Sequence, residues 1–247
     1  MIVDEGNKLM YCELPKVGSS NWKRVLIKLT DPRFQDIRNV LAIRKPRKLE
    51  HYNLTYLTDY PVEERLQMLK SYYTFTVVRD PIERVLSAYR DKAFDEFRGG
   101  IGTGRRTYSF LQKRNEIDKF IDYDVESFHR FVAYLSARGP EVGAKGDFGI
   151  RVRHWTRFFD ICRVCDVDWN FIGKVESIVE DAAFMLADVN LSSVVEYPYY
   201  RKATDTDQIK KYFTGLTKEG LERLYYTYQL DFELFQYSIP QYVWDVV

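Results

Sequence analysis

The sequence predicts an α/β fold in which a mainly parallel central sheet lies between layers of helices. Two apolar, strand-like runs, at residues 9–14 and 73–78, are each followed by a stretch whose apolar residues have helical spacing. The chain has 247 residues, 45% of them hydrophobic, which is enough to bury a substantial core. We therefore expect one domain over residues 1–247.

The N-terminal part of the chain predicts a hairpin and a helix. Residues 2–4 and the apolar run 9–14 flank the turn-forming sequence Glu5-Gly6-Asn7-Lys8. Residues 21–29 place Trp22, Val25, Leu26 and Leu29 on one side of a helix. Apolar residues between 62 and 69 also recur at helical spacing.

The middle of the chain predicts a buried strand followed by a long helix. Residues 73–78 are β-branched and aromatic, as in a strand covered on both faces. Asp80-Pro81 ends this run, and proline is favoured in the first turn of a helix, so we expect a helix over residues 82–97. Residues 125–137 predict another amphipathic helix.

The C-terminal part repeats the alternation of strand and helix. Residues 169–172 indicate a strand, and Ser177-Ile-Val-Glu180 matches a capping box that would begin the next helix. Residues 217–235, rich in Tyr, Phe and Leu, predict a final helix. Because strands alternate with helices, the sheet is expected to be mainly parallel.

Charge and hydropathy exclude several classes of function. The formal net charge is +1, so the chain has no overall basic field of the kind that nucleic-acid binding requires. The sequence contains no apolar run of about 18 residues or more, and its N-terminus lacks the apolar core of a signal peptide. We expect no nucleic-acid partner and no membrane contact from this chain itself.

Three cysteines are too few for a disulfide scaffold or a four-thiolate zinc site. The pair Cys162 and Cys165 is compatible with a local disulfide, with half of a metal site or with two free thiols, and we expect no metal. Asn53-Leu-Thr55 and Asn190-Leu-Ser192 match the N-glycosylation pattern, which is weak support for a secretory lumen.

A first candidate anion site follows the strand-like run 9–14. The loop and helix start that would form it are Lys16, Val17, Gly18, Ser19, Ser20 and Asn21. Backbone N–H groups at a helix N-terminus attract anions, and a lysine adds a mobile positive charge. The triphosphate-binding pattern G-x-x-x-x-G-K-[ST] is absent, and Lys16 is equally compatible with an ordinary surface lysine.

A second candidate anion site follows residues 73–78. Arg79 ends that strand, where open α/β sheets bind ligands, and its guanidinium can donate two hydrogen bonds to one phosphate. Ser87, about two helical turns further on, can add a hydroxyl. The alternatives are an ion pair between Arg79 and a neighbouring carboxylate such as Asp80, and a packing role for Ser87.

Both segments resemble the cofactor motifs of Golgi carbohydrate sulfotransferases. The first, CELPKVGSSNWKRVL, resembles their 5′-phosphosulfate loop, and the second, VVRDPIERVLSAYRDK, resembles their 3′-phosphate site. The similarity extends over nearly the whole chain and is greatest to the chondroitin and dermatan 4-O-sulfotransferase branch. Its further matches are His154-Trp155, the C-x-x-C at 162–165, FIGKVESIVEDA and LDFELFQYSIP. The loop reads V-G-S-S-N where vertebrate members of that branch typically read V-A-C-T-N.

The resemblance implies a P-loop-like sulfotransferase sandwich and 3′-phosphoadenylyl sulfate as the sulfuryl donor. Lys16 would be catalytic and residues 16–21 would hold the 5′-phosphosulfate, while Arg79 and Ser87 would hold the 3′-phosphate. A loop that closes over the nucleotide in related heparan enzymes is similar to the segment with Arg201, Lys202 and Thr204. The resemblance further implies a Golgi lumenal catalytic domain, here without its membrane anchor and stem.

The implied acceptor is an acidic polysaccharide or other glycan, with N-acetylgalactosamine O-4 of chondroitin or dermatan as the first candidate. Terminal glucuronate and N-glycan N-acetylgalactosamine remain alternatives. Basic clusters at 44–48, 98–106 and 151–157 are candidate polymer contacts, and each is equally compatible with a solvated face.

The general base is expected among a few residues. His154 lies among Arg151, Arg153 and Arg157, and an imidazole titrates near neutral pH. A packing role for His154-Trp155 is the alternative, and Glu176 is a second candidate for the base. Of the other two histidines, His129 falls on an amphipathic helix and is expected to be structural or on the surface.

Two other functions compete with sulfuryl transfer. A phosphoryl transferase would need a triphosphate loop and Mg²⁺-binding carboxylates, and neither is evident in the sequence. A non-catalytic polysaccharide-binding relative is the other alternative, and the retention of Lys16, Arg79 and Ser87 argues against it.

Overall fold

A computed structural model describes residues 1–44, 51–52, 54–93, 117–139, 149–200 and 204–247. Two compact units are present, one formed by Met1–Arg79 with Phe158–Arg201 and the other by Asp80–Arg157 with Lys202–Val247. The described part of the first unit holds a sheet with helices, and that of the second is helical. One domain over residues 1–247 stays a prediction.

The helices are, in chain order, α1 (Ser19–Thr30), α2 (Val62–Ser71), α3 (Pro81–Ala88), α4 (Ile117–Arg138), α5 (Phe158–Cys162), α6 (Ile178–Asp188), α7 (Thr206–Phe213), α8 (Lys218–Thr227), α9 (Gln229–Leu234) and α10 (Gln241–Trp244). The strands are β1 (Ile2–Asp4), β2 (Leu9–Cys12), β3 (Thr55–Tyr56), β4 (Tyr73–Val78) and β5 (Phe171–Lys174). All five strands belong to the first unit.

The sheet is mixed, with the order β3-β1-β2-β4-β5. β2, β4 and β5 run parallel, while β1 is antiparallel to both β2 and β3. The connection from β1 to β2 is the predicted short turn, and a turn of that length can join only antiparallel strands. The predicted α/β fold with parallel central strands is confirmed, and the antiparallel pairs lie toward one edge of the sheet.

The register of the parallel strands brings their carboxyl ends to one edge. Cys12 of β2 pairs with Thr76 of β4, and Val78 of β4 pairs with Lys174 of β5. Thr76 Oγ1 also donates to the carbonyl of Cys12 at 3.0 Å. The loop after β2 and the residues after β4 therefore leave the sheet on the same side, where α/β proteins bind ligands.

Aromatic side chains pack α1 against the sheet. The Trp22 ring lies 4.9 Å from Phe75 of β4, and Phe75 lies 5.0 Å from Tyr11 of β2, measured between ring centroids. All three residues are at most 1% exposed. Burial of large aromatic surfaces is a major stabilising term in folding, so this cluster fixes the helix that carries the first candidate anion site.

Several helices and strands begin or end at residues other than those predicted from the sequence. α1 begins at Ser19 rather than residue 21, and β5 begins at Phe171 rather than residue 169. The helix predicted over 82–97 is α3 followed by a π-helical turn at Tyr89–Ala93, and residues 94–97 lie outside the described chain. The helix predicted over 217–235 divides at Tyr228 into α8 and α9.

The predicted capping box is wrong. Ser177 does precede α6, but its side chain makes no capping hydrogen bond. Asp181, in the first turn of α6, instead accepts a hydrogen bond from the backbone N–H of Lys174 at 2.6 Å. The carboxylate therefore joins the helix to the end of β5.

The second unit is organised around helix packing. Residues 81–88 of α3 are all buried, and its apolar side chains join one core cluster with those of α4, α7 and α8. Trp155 belongs to this cluster and meets the ring of Phe131 edge-on, with centroids 5.4 Å apart. No helix among the described residues has the length and apolarity needed to cross a bilayer.

The cysteine pairing differs from the local alternatives. Cys12 at the end of β2 forms a disulfide with Cys162 at the end of α5, and their Cα atoms are 6.0 Å apart. Cys165 is a free, exposed cysteine. Of the alternatives left open for Cys162 and Cys165, the local disulfide is wrong, because Cys162 pairs with a cysteine 150 residues away in the chain.

We predict that Cys12→Ser lowers the free energy of unfolding by about 2–5 kcal/mol, since the bridge closes a long loop of the unfolded chain. Thermal unfolding of the purified protein measures the loss. Cys165→Ser is the matched control and should change stability by less than about 0.5 kcal/mol. Equal melting temperatures for Cys12→Ser and the unaltered protein would contradict the bridge.

Candidate active site

The loop between β2 and α1 has an unusual backbone. Lys16 and Gly18 both have positive φ, 70° and 76° respectively. Gly18 is the N-cap residue of α1, and the N–H of Asn21 donates to the Gly18 carbonyl at 2.8 Å. The N–H groups of Ser19 and Ser20, the first two residues of the helix, have no carbonyl partner within the helix, so they are suited to bind an anion.

Gly18 lies against a tyrosine-rich segment of the same unit. A Cβ added at Gly18 would come within 2.6 Å of Tyr197 Oη, 3.1 Å of Ile178 Cδ1 and 3.5 Å of Tyr200 Cε2. Tyr197 Oη donates to the Gly18 carbonyl at 3.3 Å, and burial raises the pKa of Tyr197. The site therefore requires glycine, both for its positive φ and for the close approach of Tyr197.

Side chains of α1 hold the loop and its helix start in place. Lys23 Nζ lies 2.7 Å from Glu13 Oε1, which ties the helix to the residue that follows β2. Asn21 Oδ1 accepts from Arg24 Nη1 at 2.8 Å, and Arg24 Nε donates to the carbonyl of Ile43 at 2.9 Å. Asn21 is thus oriented by a neighbour that is itself fixed.

Arg79, predicted for the second anion site, lies beside the loop of the first. It directly follows β4, is 1% exposed, and its Nη1 donates to the Lys16 carbonyl at 3.3 Å. The guanidinium therefore lies beside the loop that precedes α1. Lys16, Arg79 and the first turn of α1 lie together at the carboxyl edge of the sheet.

The remaining predicted site residues belong to the second unit or lie outside the described chain. Ser87 of α3 is 9% exposed, and Thr204 is 1% exposed. His154 is half-buried at the end of a 3₁₀ turn, between the exposed Arg153 and the buried Trp155. Arg201 and Lys202 lie outside the described residues.

The other candidate residues for the general base, and the remaining basic clusters, lie in different environments. Glu176 is exposed just after β5. His129 of α4 has its Nε2 3.0 Å from the Tyr212 carbonyl, and burial lowers its pKa. The structural role expected for His129 fits this backbone contact. Of the basic clusters, 98–106 lies outside the described chain, as does most of 44–48.

Sequence reasoning missed Tyr197 as a support of the loop. Tyr197 is 179 residues from Gly18 and its contact is to a backbone carbonyl, so no local pattern marks it. The run Tyr197-Pro-Tyr-Tyr200 was the available signal, because three tyrosines so close together need a surface to pack on. Its ring lies 5.1 Å from that of Trp22.

The described residues contain no cluster of three or more His, Cys, Asp or Glu side chains suited to a metal ion. The chemistry at the carboxyl edge of the sheet is therefore assessed from its cations, backbone N–H groups and hydroxyls.

Comparison with known families identifies the fold and chemistry. Residues 1–238 match the family described as "Sulfotransferase family". The chain belongs to that family. Carbohydrate sulfotransferase 11 of Rattus norvegicus is 32% identical over 250 residues, covering 98% of this chain and 68% of the relative. Carbohydrate sulfotransferase 10 of Danio rerio is 28% identical over 255 residues, covering 98% and 67%, and that of Homo sapiens is 29% identical over 258 residues, covering 98% and 68%.

The predicted resemblance to carbohydrate sulfotransferases is thereby confirmed, and the protein is a sulfotransferase. No solved structure matches the chain. Sulfotransferases of this family generally use 3′-phosphoadenylyl sulfate. The relatives fall in two branches, numbered 10 and 11, so they support a carbohydrate acceptor without selecting one sugar.

We predict that Gly18→Ala destabilises the sulfotransferase and weakens binding of 3′-phosphoadenosine 5′-phosphate. The new Cβ would be too close to Tyr197 Oη and would also have to adopt positive φ. Gly139→Ala is the matched control, since Gly139 has φ 71° but no atom within 4 Å of the added Cβ. The control variant should lose only the free energy needed to place alanine at positive φ, about 1–2 kcal/mol of stability.

Calorimetric titration with the nucleotide and thermal unfolding measure both effects. If Gly18→Ala bound the nucleotide as tightly as Gly139→Ala does, the close-packed loop would have no part in anion binding.

Proposed function

We propose that the protein transfers a sulfuryl group from 3′-phosphoadenylyl sulfate to a hydroxyl of a glycosaminoglycan or glycoprotein glycan. N-acetylgalactosamine O-4 of chondroitin or dermatan is the proposed acceptor. The observation that carries the proposal is the hydrogen bond from buried Arg79 to the Lys16 carbonyl. This bond supports the proposal because a donor with charged groups at its 5′ and 3′ positions needs cationic residues close together.

The 5′-phosphosulfate is assigned to the loop and helix start, residues 16–21. The N–H groups of the first turn of α1 and the hydroxyls of Ser19 and Ser20 can donate to its oxygens. The absence of a Cβ at Gly18 supports this assignment, because the loop backbone lies close against Tyr197 without a side chain in between. Asn21, whose side chain is oriented by Arg24, is the last residue assigned to this site.

The 3′-phosphate is assigned to Arg79 and Ser87. The Arg79 guanidinium can donate two hydrogen bonds to one phosphate group, and such charge-assisted bonds are stronger than neutral ones. This second anion site would select the donor over ATP. Arg201, Lys202 and Thr204 are assigned to the loop that closes over the nucleotide.

Catalysis is assigned to positioning and charge stabilisation, with no covalent enzyme intermediate. Lys16 stabilises the negative charge that develops on the leaving phosphate oxygen as the sulfur–oxygen bond breaks. His154 accepts the proton of the sugar hydroxyl while that oxygen bonds to sulfur. The products are the sulfate ester and 3′-phosphoadenosine 5′-phosphate.

Polyanionic acceptors fit the surroundings of His154. Arg151 and Arg153 are exposed on the same turn as His154, and Arg157 follows four residues after Arg153. Cationic side chains on this segment can attract the carboxylates or sulfates of a glycosaminoglycan.

A Golgi lumenal location is proposed with the function. The buried disulfide between Cys12 and Cys162 supports it, because disulfides persist in oxidising compartments and are rare in the cytosol.

Transfer of ³⁵S-labelled sulfate from 3′-phosphoadenylyl sulfate to desulfated chondroitin, dermatan and heparan tests the proposal. Label in chondroitin or dermatan, located at O-4 after disaccharide analysis, is the expected result. Label in heparan alone would refute the proposed acceptor, and no label in any polymer from protein that binds the donor product would refute the proposed transfer to these glycans.

We predict that Lys16→Ala lowers kcat by at least 100-fold with little loss of stability, because the removed charge acts on the leaving group. Lys8→Ala is the matched control. Lys8 is an exposed lysine that also has positive φ, 53°, in the turn between β1 and β2. Sulfate transfer measured side by side should be normal in the control, and normal transfer in both variants would remove Lys16 from the mechanism.

We predict that Arg79→Ala raises the Michaelis constant for the donor by about 10–100-fold, the equivalent of about 1.5–3 kcal/mol of charge-assisted hydrogen bonding. The affinity ratio of 3′-phosphoadenosine 5′-phosphate to adenosine 5′-phosphate reports the 3′-phosphate directly. The unaltered protein should strongly prefer the first nucleotide, and Arg79→Ala should lose most of that preference. A preference that survives the substitution would place the 3′-phosphate elsewhere.

We predict that His154→Ala lowers kcat by about 100-fold or more while donor affinity changes less than threefold, since a general base contributes to the chemical step. Initial rates at saturating donor, with desulfated chondroitin as acceptor, measure it. His129→Ala is a control with an equivalent loss of an imidazole and should retain kcat per folded molecule. A larger loss of donor affinity than of kcat would make His154 a binding residue.

A further inference from the structure

Residues 152–156 form a closed turn that carries His154. The N–H groups of Trp155 and Thr156 both donate to the Val152 carbonyl at 3.0 Å, and Thr156 Oγ1 donates to the same oxygen at 3.0 Å. Trp155 and Thr156 are each 1% exposed. The backbone immediately after His154 is therefore internally bonded and buried.

Two buried side chains hold this turn from outside. Tyr228 Oη donates to the Trp155 carbonyl at 2.5 Å, and Arg84 Nη2 donates to the Thr156 carbonyl. The guanidinium carbon of Arg84 lies over the Tyr228 ring, 5.5 Å from its centre. Consecutive carbonyls are thus bonded by two side chains that contact each other.

The donors come from separate parts of the helical unit. Arg84 lies on α3, and Tyr228 lies between α8 and α9, where the helix path breaks. Both side chains are fully buried, and burial raises the pKa of Tyr228, so its hydroxyl stays protonated as a donor. Asp231, 1% exposed, lies close enough to Tyr228 to contribute to that shift and supplies a buried negative charge in the same region as Arg84.

Burying an arginine in a core is unfavourable by itself, since desolvation of the cation costs several kcal/mol before its contacts are counted. The length of the Arg84 side chain and the arrangement of its donors explain why an arginine occupies this position. The guanidinium is planar with N–H donors at its edge, so one residue can donate to the Thr156 carbonyl while its face lies over the Tyr228 ring. Lysine has a single nitrogen and cannot reproduce that geometry.

We infer that Arg84 and Tyr228 are positioning residues that fix His154 for proton abstraction, an inference that rests on the proposed role of His154 as the base. They act through the carbonyls of Trp155 and Thr156 and need not touch either substrate. By fixing the backbone next to His154, they fix the position and direction from which its imidazole side chain extends. A displacement of about 1 Å at a reacting group can cost about 100-fold in rate, so this support belongs to the catalytic apparatus.

The first test is Tyr228→Phe, which keeps the ring under the guanidinium and removes the hydroxyl that donates to Trp155. With labelled 3′-phosphoadenylyl sulfate and desulfated chondroitin, kcat should fall about 10- to 100-fold while the donor Michaelis constant changes less than threefold. Tyr226→Phe is the matched control, because Tyr226 lies on α8 and is 68% exposed. A lower melting temperature with unchanged kcat per folded molecule would show a merely structural role and overturn the inference.

The second test asks whether the effect passes through His154. In the His154→Ala background, Tyr228→Phe should cause no further loss of kcat, since residues that act as a unit are not additive. Equal losses in both backgrounds would overturn the inference while leaving the role of His154 intact. Arg84→Lys keeps the charge but loses the forked donor set, and it should reproduce the kcat loss if Tyr228→Phe folds poorly.

A third readout needs no turnover. The chain has three histidines, so the ring carbon signals of a ¹³C-histidine sample can be assigned with single alanine variants. Tyr228→Phe should shift or broaden the His154 signal while those of His51 and His129 stay in place. An unchanged His154 signal would overturn the inference. If the unaltered protein transferred no label to any tested polymer, the proposed function would fail first, and this inference with it.

Discussion

The parallel pairing of β2 with β4 is the constraint on which the site depends. Because Cys12 is paired with Thr76, the loop after β2 and the residue after β4 leave the sheet at the same edge. That register places the Arg79 guanidinium against the Lys16 carbonyl. A one-residue slip would turn every side chain of β2 to the opposite face of the sheet, so the buried aromatic packing of Tyr11 also enforces the register.

Several independent contacts hold the loop at that edge. The disulfide fixes the end of β2, and Trp22 packs α1 against the sheet. Tyr197 lies against Gly18 and donates a hydrogen bond to its carbonyl. The positive φ of Lys16 is a conformation that non-glycine residues adopt at some cost, and it persists where the surroundings determine the backbone. A loop restrained in this way presents its N–H groups without further ordering, which is what electrostatic catalysis requires.

The parts of this fold that sequence predicts are those with a local signature. β4 and the hairpin of β1 and β2 follow from apolar patterning and a short polar turn, and α1 follows from the spacing of Trp22, Val25 and Leu26. Lys16 and Arg79 were each predicted as part of an anion site, Lys16 from the loop after β2 and Arg79 from its place at the carboxyl end of β4. Each of these conclusions needs only neighbouring residues and one topological rule.

The parts that sequence does not predict depend on distant partners. Cys12 pairs with a cysteine 150 residues away, and the bond from Tyr228 to the Trp155 carbonyl spans 73 residues. In both cases a plausible local alternative existed: the C-x-x-C bridge for Cys162, and an uninterrupted helix through Tyr228. The capping-box pattern at Ser177 failed for a related reason, because the first-turn carboxylate of α6 bonds to the end of β5 instead. Long-range packing overrode the local preference.

The most direct measurement is a crystal structure of the protein with 3′-phosphoadenosine 5′-phosphate. The account predicts the 5′-phosphate on the N–H groups at the start of α1, within reach of Lys16, and the 3′-phosphate hydrogen-bonded to Arg79. A nucleotide bound away from the carboxyl edge of β2 and β4, or one whose phosphates contacted neither Lys16 nor Arg79, would contradict it.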